Sequence, residues 1–291
     1  MEMKNETGHV NRKLLAKHLE SVVSFRVWKQ LEFAEKREGV QEQEGQHKGN
    51  EDEKDKAGQC QTVVYYGTGF IIHSSDNFVL VLSCAHTFAP FYKHGAAALD
   101  DDIRLAVDFS DQYSTVGHVS QINLAYDLAI VVVFLDGSKR GSYRSVKFTE
   151  NSCPLMGFSV SERDATLHSI MCFPADQEQA LFGTAVSGSI CGPPRLGQDV
   201  DPKLHSELKM VQFHMSGADG CSGAPLFTQN LFVMGIWTSH VGDIKFGVVV
   251  DSICEWLRKT YNIKETSMKT VVAKIGLLYS QNIALIDRMK S

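Results

Sequence analysis

Between Thr62 and Val250 the chain is a succession of short β-rich runs, TVVYYGTGFII, FVLVLS, IRLAVDFS, LAIVVVFL, PLMGFSV, MVQFHM, LFVMGIWT and KFGVVV, each bounded by turn residues. Helical periodicity appears only near the two ends. A parallel sheet needs helical crossovers between its strands, and no convincing helical pattern intervenes between these runs. The pattern therefore predicts an all-β domain, a sandwich or closed barrels. Upstream, SVVSFRVW from Ser21 to Trp28 alternates, with Val23, Phe25 and Val27 on one face and Ser24 and Arg26 on the other, as a first, half-buried strand should. Asp251 or Ser252 can cap a short helix over 251–260 that carries Ile253, Trp256 and Leu257 on one face. The run VVAKIGLLYSQNIALIDRMKS that follows is partly amphipathic and is expected to pack back or to dock a partner.

Composition excludes several classes. A formal net charge of -5 lacks the basic excess that neutralising many phosphates requires, so nucleic acid is not the expected partner. No stretch reaches the roughly 18 apolar residues of a membrane span, and the N-terminus lacks the apolar core of a secretory signal. Seven cysteines with no C-x-x-C pair and no zinc spacing fit free thiols in a reducing compartment. The reading is an intracellular protein, cytoplasmic or nuclear, with no metal and no organic cofactor. Ala34 to Gly58 holds eight acidic and five basic residues with Val40 as its only sizeable apolar side chain, and reads as a disordered surface insertion.

Three stretches together carry chemistry: Ser83-Cys84-Ala85-His86, Tyr126-Asp127-Leu128-Ala129 and Gly220-Cys221-Ser222-Gly223-Ala224-Pro225. A serine hydroxyl needs a base to take its proton. The base needs an acid to fix its tautomer, and a tetrahedral oxyanion needs backbone donors. His86, Asp127 and Ser222 supply the first three parts in the order His, Asp, Ser, which differs from subtilisin and from the α/β-hydrolases. A nucleophile elbow requires Gly two residues after Ser, where this chain has Ala224. Gly220 lets the backbone turn so that its N–H and that of Ser222 can face one oxyanion.

On these motifs the chain from about Leu19 to Leu257 resembles the trypsin-like protease domain, and within it the HtrA/Deg (protease Do-like) branch. The resemblance rests on SVVSF, GTGFII, SCAHTF, YDLAIV, GCSGAPLF, GIWTS and FGVVVDSICEWL. It implies two perpendicular six-stranded antiparallel β-barrels with a short C-terminal helix and a site in the cleft between the barrels. The implied boundaries are an N-terminal arm at 1–18, a protease domain at 19–258 with barrels at about 19–140 and 145–258, and an extension at 259–291. The charged insertion falls where such proteases carry a variable regulatory loop. The implied activity is serine endopeptidase action on polypeptides, the alternative being a catalytically silent scaffold.

Some features depart from that family. Cys221 stands where the branch usually has Asn and digestive proteases have Asp, so activation by an N-terminal ammonium is not expected. Residues 259–291 are too few for a PDZ module. Cys221 is also a rival nucleophile, against which the resemblance places it on the inner side of the turn. By position Ser216 lies near the base of the specificity pocket, while Thr238, Ser239 and His240 form an edge that pairs with substrate backbone. Without a charge at Ser216, a small or medium apolar side chain is expected before the scissile bond.

Overall fold

The computed structural model describes residues 12–31, 61–91, 103–150, 166–174 and 180–290. The charged stretch from Ala34 to Gly58 lies outside them. Six antiparallel strands, β1 (Val22–Leu31), β2 (Gln61–Ser74), β3 (Phe78–Ser83), β4 (Ile103–Phe109), β5 (Ser114–Asn123) and β6 (Leu128–Phe134), close into a barrel in the order β1-β2-β3-β6-β5-β4. The alternation expected for the first strand holds, because Val23, Phe25 and Val27 enter the barrel core with Val81, Val107 and Val131. The strand also continues to Leu31, where pairing with Gln61 supplies hydrogen bonds beyond the apolar run.

A second ring comprises β7 (Thr166–Pro174), β8 (Ala180–Ile190), β10 (Lys209–His214), β11 (Pro225–Phe227), β12 (Val233–Val241) and β13 (Ile244–Val249). Its closure comes from the pairing of β13 with β10, and the two-residue β9 (Arg195–Leu196) adds to β10 outside the ring. Two closed six-stranded antiparallel barrels are thus present, as a trypsin-like fold requires, and closure leaves neither barrel an open edge. Side chains alternate here as well. Leu167, Met171, Val211, Phe213, Trp237 and Val249 fill the second barrel, whereas Ile170, Met210, Ile236 and Val248 join the core outside it.

Helices seal the ends. Residues 12–18 form α1, with Leu14 buried and the His18 ring 4.8 Å from that of Phe227. Burial, with a lesser contribution from the Lys17 charge, pushes the His18 pKa down to about 4, so this ring packs as a neutral group. After the single-turn α2 (Gly197–Val200), α3 (Val250–Tyr261) ends at Asn262, whose left-handed backbone at φ 53° closes the helix by an N–H bond to Arg258. A longer helix, α4 (Met268–Lys290), follows where the sequence pattern was only partly amphipathic. It packs back on the first barrel: Val271, Val272 and Ile275 are buried, Tyr279 meets Phe78 and Ser120, and Gly276 lies so close to the His73 ring that a Cβ there would collide. No helix among the described residues is long and apolar enough to cross a membrane.

Candidate active site

His86 follows β3 in a single 3₁₀ turn, Ala85–Thr87, whose other two side chains are buried. Burial of Ala85 and Thr87 turns the imidazole outward, leaving it 45% exposed. Asp127 occupies a left-handed backbone position, φ 51°, at the end of the turn before β6. Asp tolerates that region better than most residues, and the turn is held by Tyr126 N–H donating to Asn123 Oδ1 and Asp127 N–H to the Leu124 carbonyl. The carboxylate then accepts from the His86 backbone N–H at 2.9 Å and meets Nδ1 at 2.8 and 3.0 Å. Burial alone would lower the His86 pKa; the hydrogen bond and charge of Asp127 outweigh it and raise the value above the ordinary 6.5.

The serine turn is fastened to the same place by Thr68 of β2. Its N–H donates to the Ser222 carbonyl at 2.8 Å, its hydroxyl to the Gly220 carbonyl at 2.6 Å, and its carbonyl accepts from Ser83 Oγ at 2.8 Å. One residue therefore ties the serine turn to the strand that leads into His86. A second tie is Cys84, whose buried thiol donates to the Trp237 carbonyl at 3.1 Å, the acceptor that Gly223 N–H also uses at 2.8 Å. Neither tie was identified from sequence. The available signal was steric: Gly67 and Gly69 flank Thr68 because Thr87 on one side and Phe25 and Val81 on the other occupy the space a side chain would need.

The turn itself admits no side chain at its tightest point. Gly223 has φ 90°, and a Cβ there would lie 1.8 Å from the Thr68 carbonyl oxygen. Gly223→Ala should therefore destabilise the protein by about 3 to 4 kcal/mol, combining backbone strain with a forced separation from Thr68. Urea denaturation of the variant measures this, and a loss below about 1 kcal/mol would show that the turn relaxes freely.

Gly220, at φ 92°, turns the chain just before the serine. Among the described residues neither the Gly220 N–H nor the Ser222 N–H has an internal acceptor, while the intervening Cys221 N–H is bound to the Ala218 carbonyl. Ser222 Oγ donates to the Thr238 carbonyl at 3.4 Å and has no hydrogen bond to His86. Cys221 is 3% exposed, accepts from Ala218 N–H at 3.1 Å and touches Met171 Sδ at 3.0 Å, and burial raises its pKa. Its thiol is thus turned inward, away from the surface at which His86 is presented.

Ser216 is exposed at the start of the loop. Thr238 is buried, with its hydroxyl on the Phe246 carbonyl at 3.3 Å, Ser239 is half-buried and His240 is exposed. The donor atoms of Cys84, His86 and Asp127 lie within 4.8 Å of one another and could in principle hold a cation. Burial holds the Cys84 thiol protonated, however, and Nδ1 of His86 already meets the Asp127 carboxylate, so two of the three groups are occupied in other ways.

A profile of the trypsin-like peptidase domain matches residues 67–236, more than half of the chain. Among solved structures, Deg5 is similar at 16% identity and a TM-score of 0.56, with 90% of this chain and 98% of Deg5 covered. The HtrA-type protease AlgW, solved with a decapeptide, is similar at 14% identity and the same TM-score, with 88% and 68% covered. A comparison with curated proteins finds no match. Identities this low bear on the fold alone, while the profile bears on the family. Two antiparallel barrels, with the histidine and serine turns joined through Thr68 and the Trp237 carbonyl, agree with that profile, and the chain belongs to the trypsin-like peptidase domain family.

Proposed function

We propose that this protein is a serine endopeptidase that cleaves polypeptides through an acyl-enzyme. The observation that carries the reading is the Asp127-bound, outward-facing His86 beside a serine turn in which the Gly220 and Ser222 N–H groups have no internal acceptor among the described residues. In this reading Ser222 Oγ attacks the scissile carbonyl carbon while His86 Nε2 takes its proton, and the carbonyl oxygen becomes an oxyanion held by Gly220 and Ser222 N–H. Collapse of the tetrahedral species breaks the C–N bond as His86 returns the proton to the leaving amine. Water, deprotonated by the same imidazole, then hydrolyses the ester and regenerates Ser222. Asp127 holds the tautomer that leaves Nε2 free to accept, and stabilises the imidazolium.

A second reading, a silent protease-fold scaffold, draws on the Ser222 hydroxyl pointing to Thr238 instead of His86. Reaction with a fluorophosphonate separates the two. Endopeptidase function requires stoichiometric phosphonylation mapped to Ser222 by mass spectrometry, together with cleavage of a denatured peptide library. An unlabelled, folded protein would establish the scaffold.

A further inference from the structure

The second barrel contains one feature that its apolar interior does not explain. Lys245, the second residue of β13, is directly opposite Phe213 of β10 and His240 of β12. In antiparallel pairs directly opposed residues share a face, so Lys245 projects on the side of the sheet that Phe213 occupies. That side is the barrel interior: the Phe213 ring meets Trp237 edge-on with centroids 5.0 Å apart, and Trp237 in turn packs beneath Gly217 and beside Cys221. The charge reaches the residue before the nucleophile, since Lys245 works to lower the pKa of the Cys221 thiol, against burial.

Lys245 is half-buried, and among the described residues its ammonium has no hydrogen bond or ion pair. Two carboxylates lie near. Asp219 in the serine loop and Asp243 in the β12–β13 turn are both exposed, and neither comes within ion-pair distance. A partly desolvated cation without a counter-ion is costly, and the cost is recovered when an anion arrives from outside. The loop at 217–221 lies against β12, with Gly217 over the same Trp237 ring that meets Phe213. Ser222 Oγ rests on the Thr238 carbonyl of that strand, and His240, across from Lys245, stands at its exposed rim.

We propose that Lys245 is the specificity-determining residue of the site and selects substrates with Asp or Glu on the acyl side of the scissile bond (P1), with His240 at the pocket entrance. This rests on the endopeptidase reading and replaces the apolar preference expected from Ser216. The positive charge comes from a facing strand, not from the loop residue six before the serine.

The test is kcat/KM for matched peptides differing only at P1, with Asp against Asn, Glu against Gln, and Val. Wild-type enzyme should favour each acid over its amide by roughly 10- to 100-fold, the range expected for a charge-assisted hydrogen bond. Lys245→Met should bring the ratio near one, and Lys245→Glu should invert the preference toward Lys or Arg, with circular dichroism monitoring each fold. An acid-to-amide ratio at or below one in the wild type, or faster cleavage after Val, overturns the proposal without any variant. A wild-type acid preference that survives Lys245→Met also overturns it. If no peptide is cut and Ser222 resists fluorophosphonate, the endopeptidase reading falls, and the proposal with it; Ser222 labelling with a wrong P1 preference removes only the role of Lys245.

Discussion

Substituting Ser222→Ala should lower kcat on peptide substrates by on the order of 10⁶-fold, because the covalent route through the acyl-enzyme disappears and only binding and oxyanion stabilisation remain. Fold and stability should change little, since the Ser222 hydroxyl makes a single long bond to Thr238 while the turn is held by the backbone bonds to Thr68 and Trp237. The companion variant Cys221→Ala should keep at least roughly a tenth of the activity, as the thiol is buried and raised in pKa, which leaves little thiolate. Measuring both rates on one substrate decides the nucleophile. Activity lost in Cys221→Ala and kept in Ser222→Ala would make this a cysteine peptidase.

Asp127→Asn should reduce kcat by on the order of 10⁴-fold while leaving the turn in place, because an amide can donate to Nδ1 and so favours the wrong tautomer. The pH profile supplies an independent readout. A base must be neutral to act, so wild-type activity should rise with pH through a His86 pKa lifted above its usual value of about 6.5. Without the carboxylate, burial acts alone, and the residual activity of the variant should rise at lower pH. Stability follows with a definite sign. A raised histidine pKa contributes fully below about pH 6.5 and fades as pH rises through the folded-state value, so the melting-temperature deficit of the variant should shrink toward alkaline pH. Superimposable profiles for the two proteins would remove Asp127 from the assignment.

Much of the architecture was open to reading because it depends on local rules. Alternation placed Val23, Phe25 and Val27 toward one core, and seven of the quoted runs lie on strands of the two barrels, while PLMGFSV falls outside the described residues. The C-terminal helix α4 was harder. Its register is decided by the outer face of the first barrel, where Gly276 must meet the flat His73 ring and Tyr279 must reach Ser120, and these contacts leave a weaker periodic signature than a single apolar stripe. The N-terminal segment is similar, since His18 is buried against Phe227, a residue far along the chain.

At the site, the sequence by itself determined which groups are present: an imidazole, a carboxylate and a hydroxyl in short motifs whose composition and order match one chemistry. It also determined that Gly occupies the two positive-φ positions flanking Ser222, because no other residue adopts them without strain. Only the tertiary structure decided how the motifs meet. Thr68 joins the serine turn to the histidine strand through three hydrogen bonds, and Cys84 and Gly223 share the Trp237 carbonyl, pairings between segments that no local pattern encodes. The same holds for Lys245, a surface-type residue by its neighbours in sequence, which strand register alone sets opposite Phe213 and against the apolar interior. Local propensity depends on residues a few positions apart, whereas pocket charge depends on which strands lie side by side, and that is fixed only when the barrel closes.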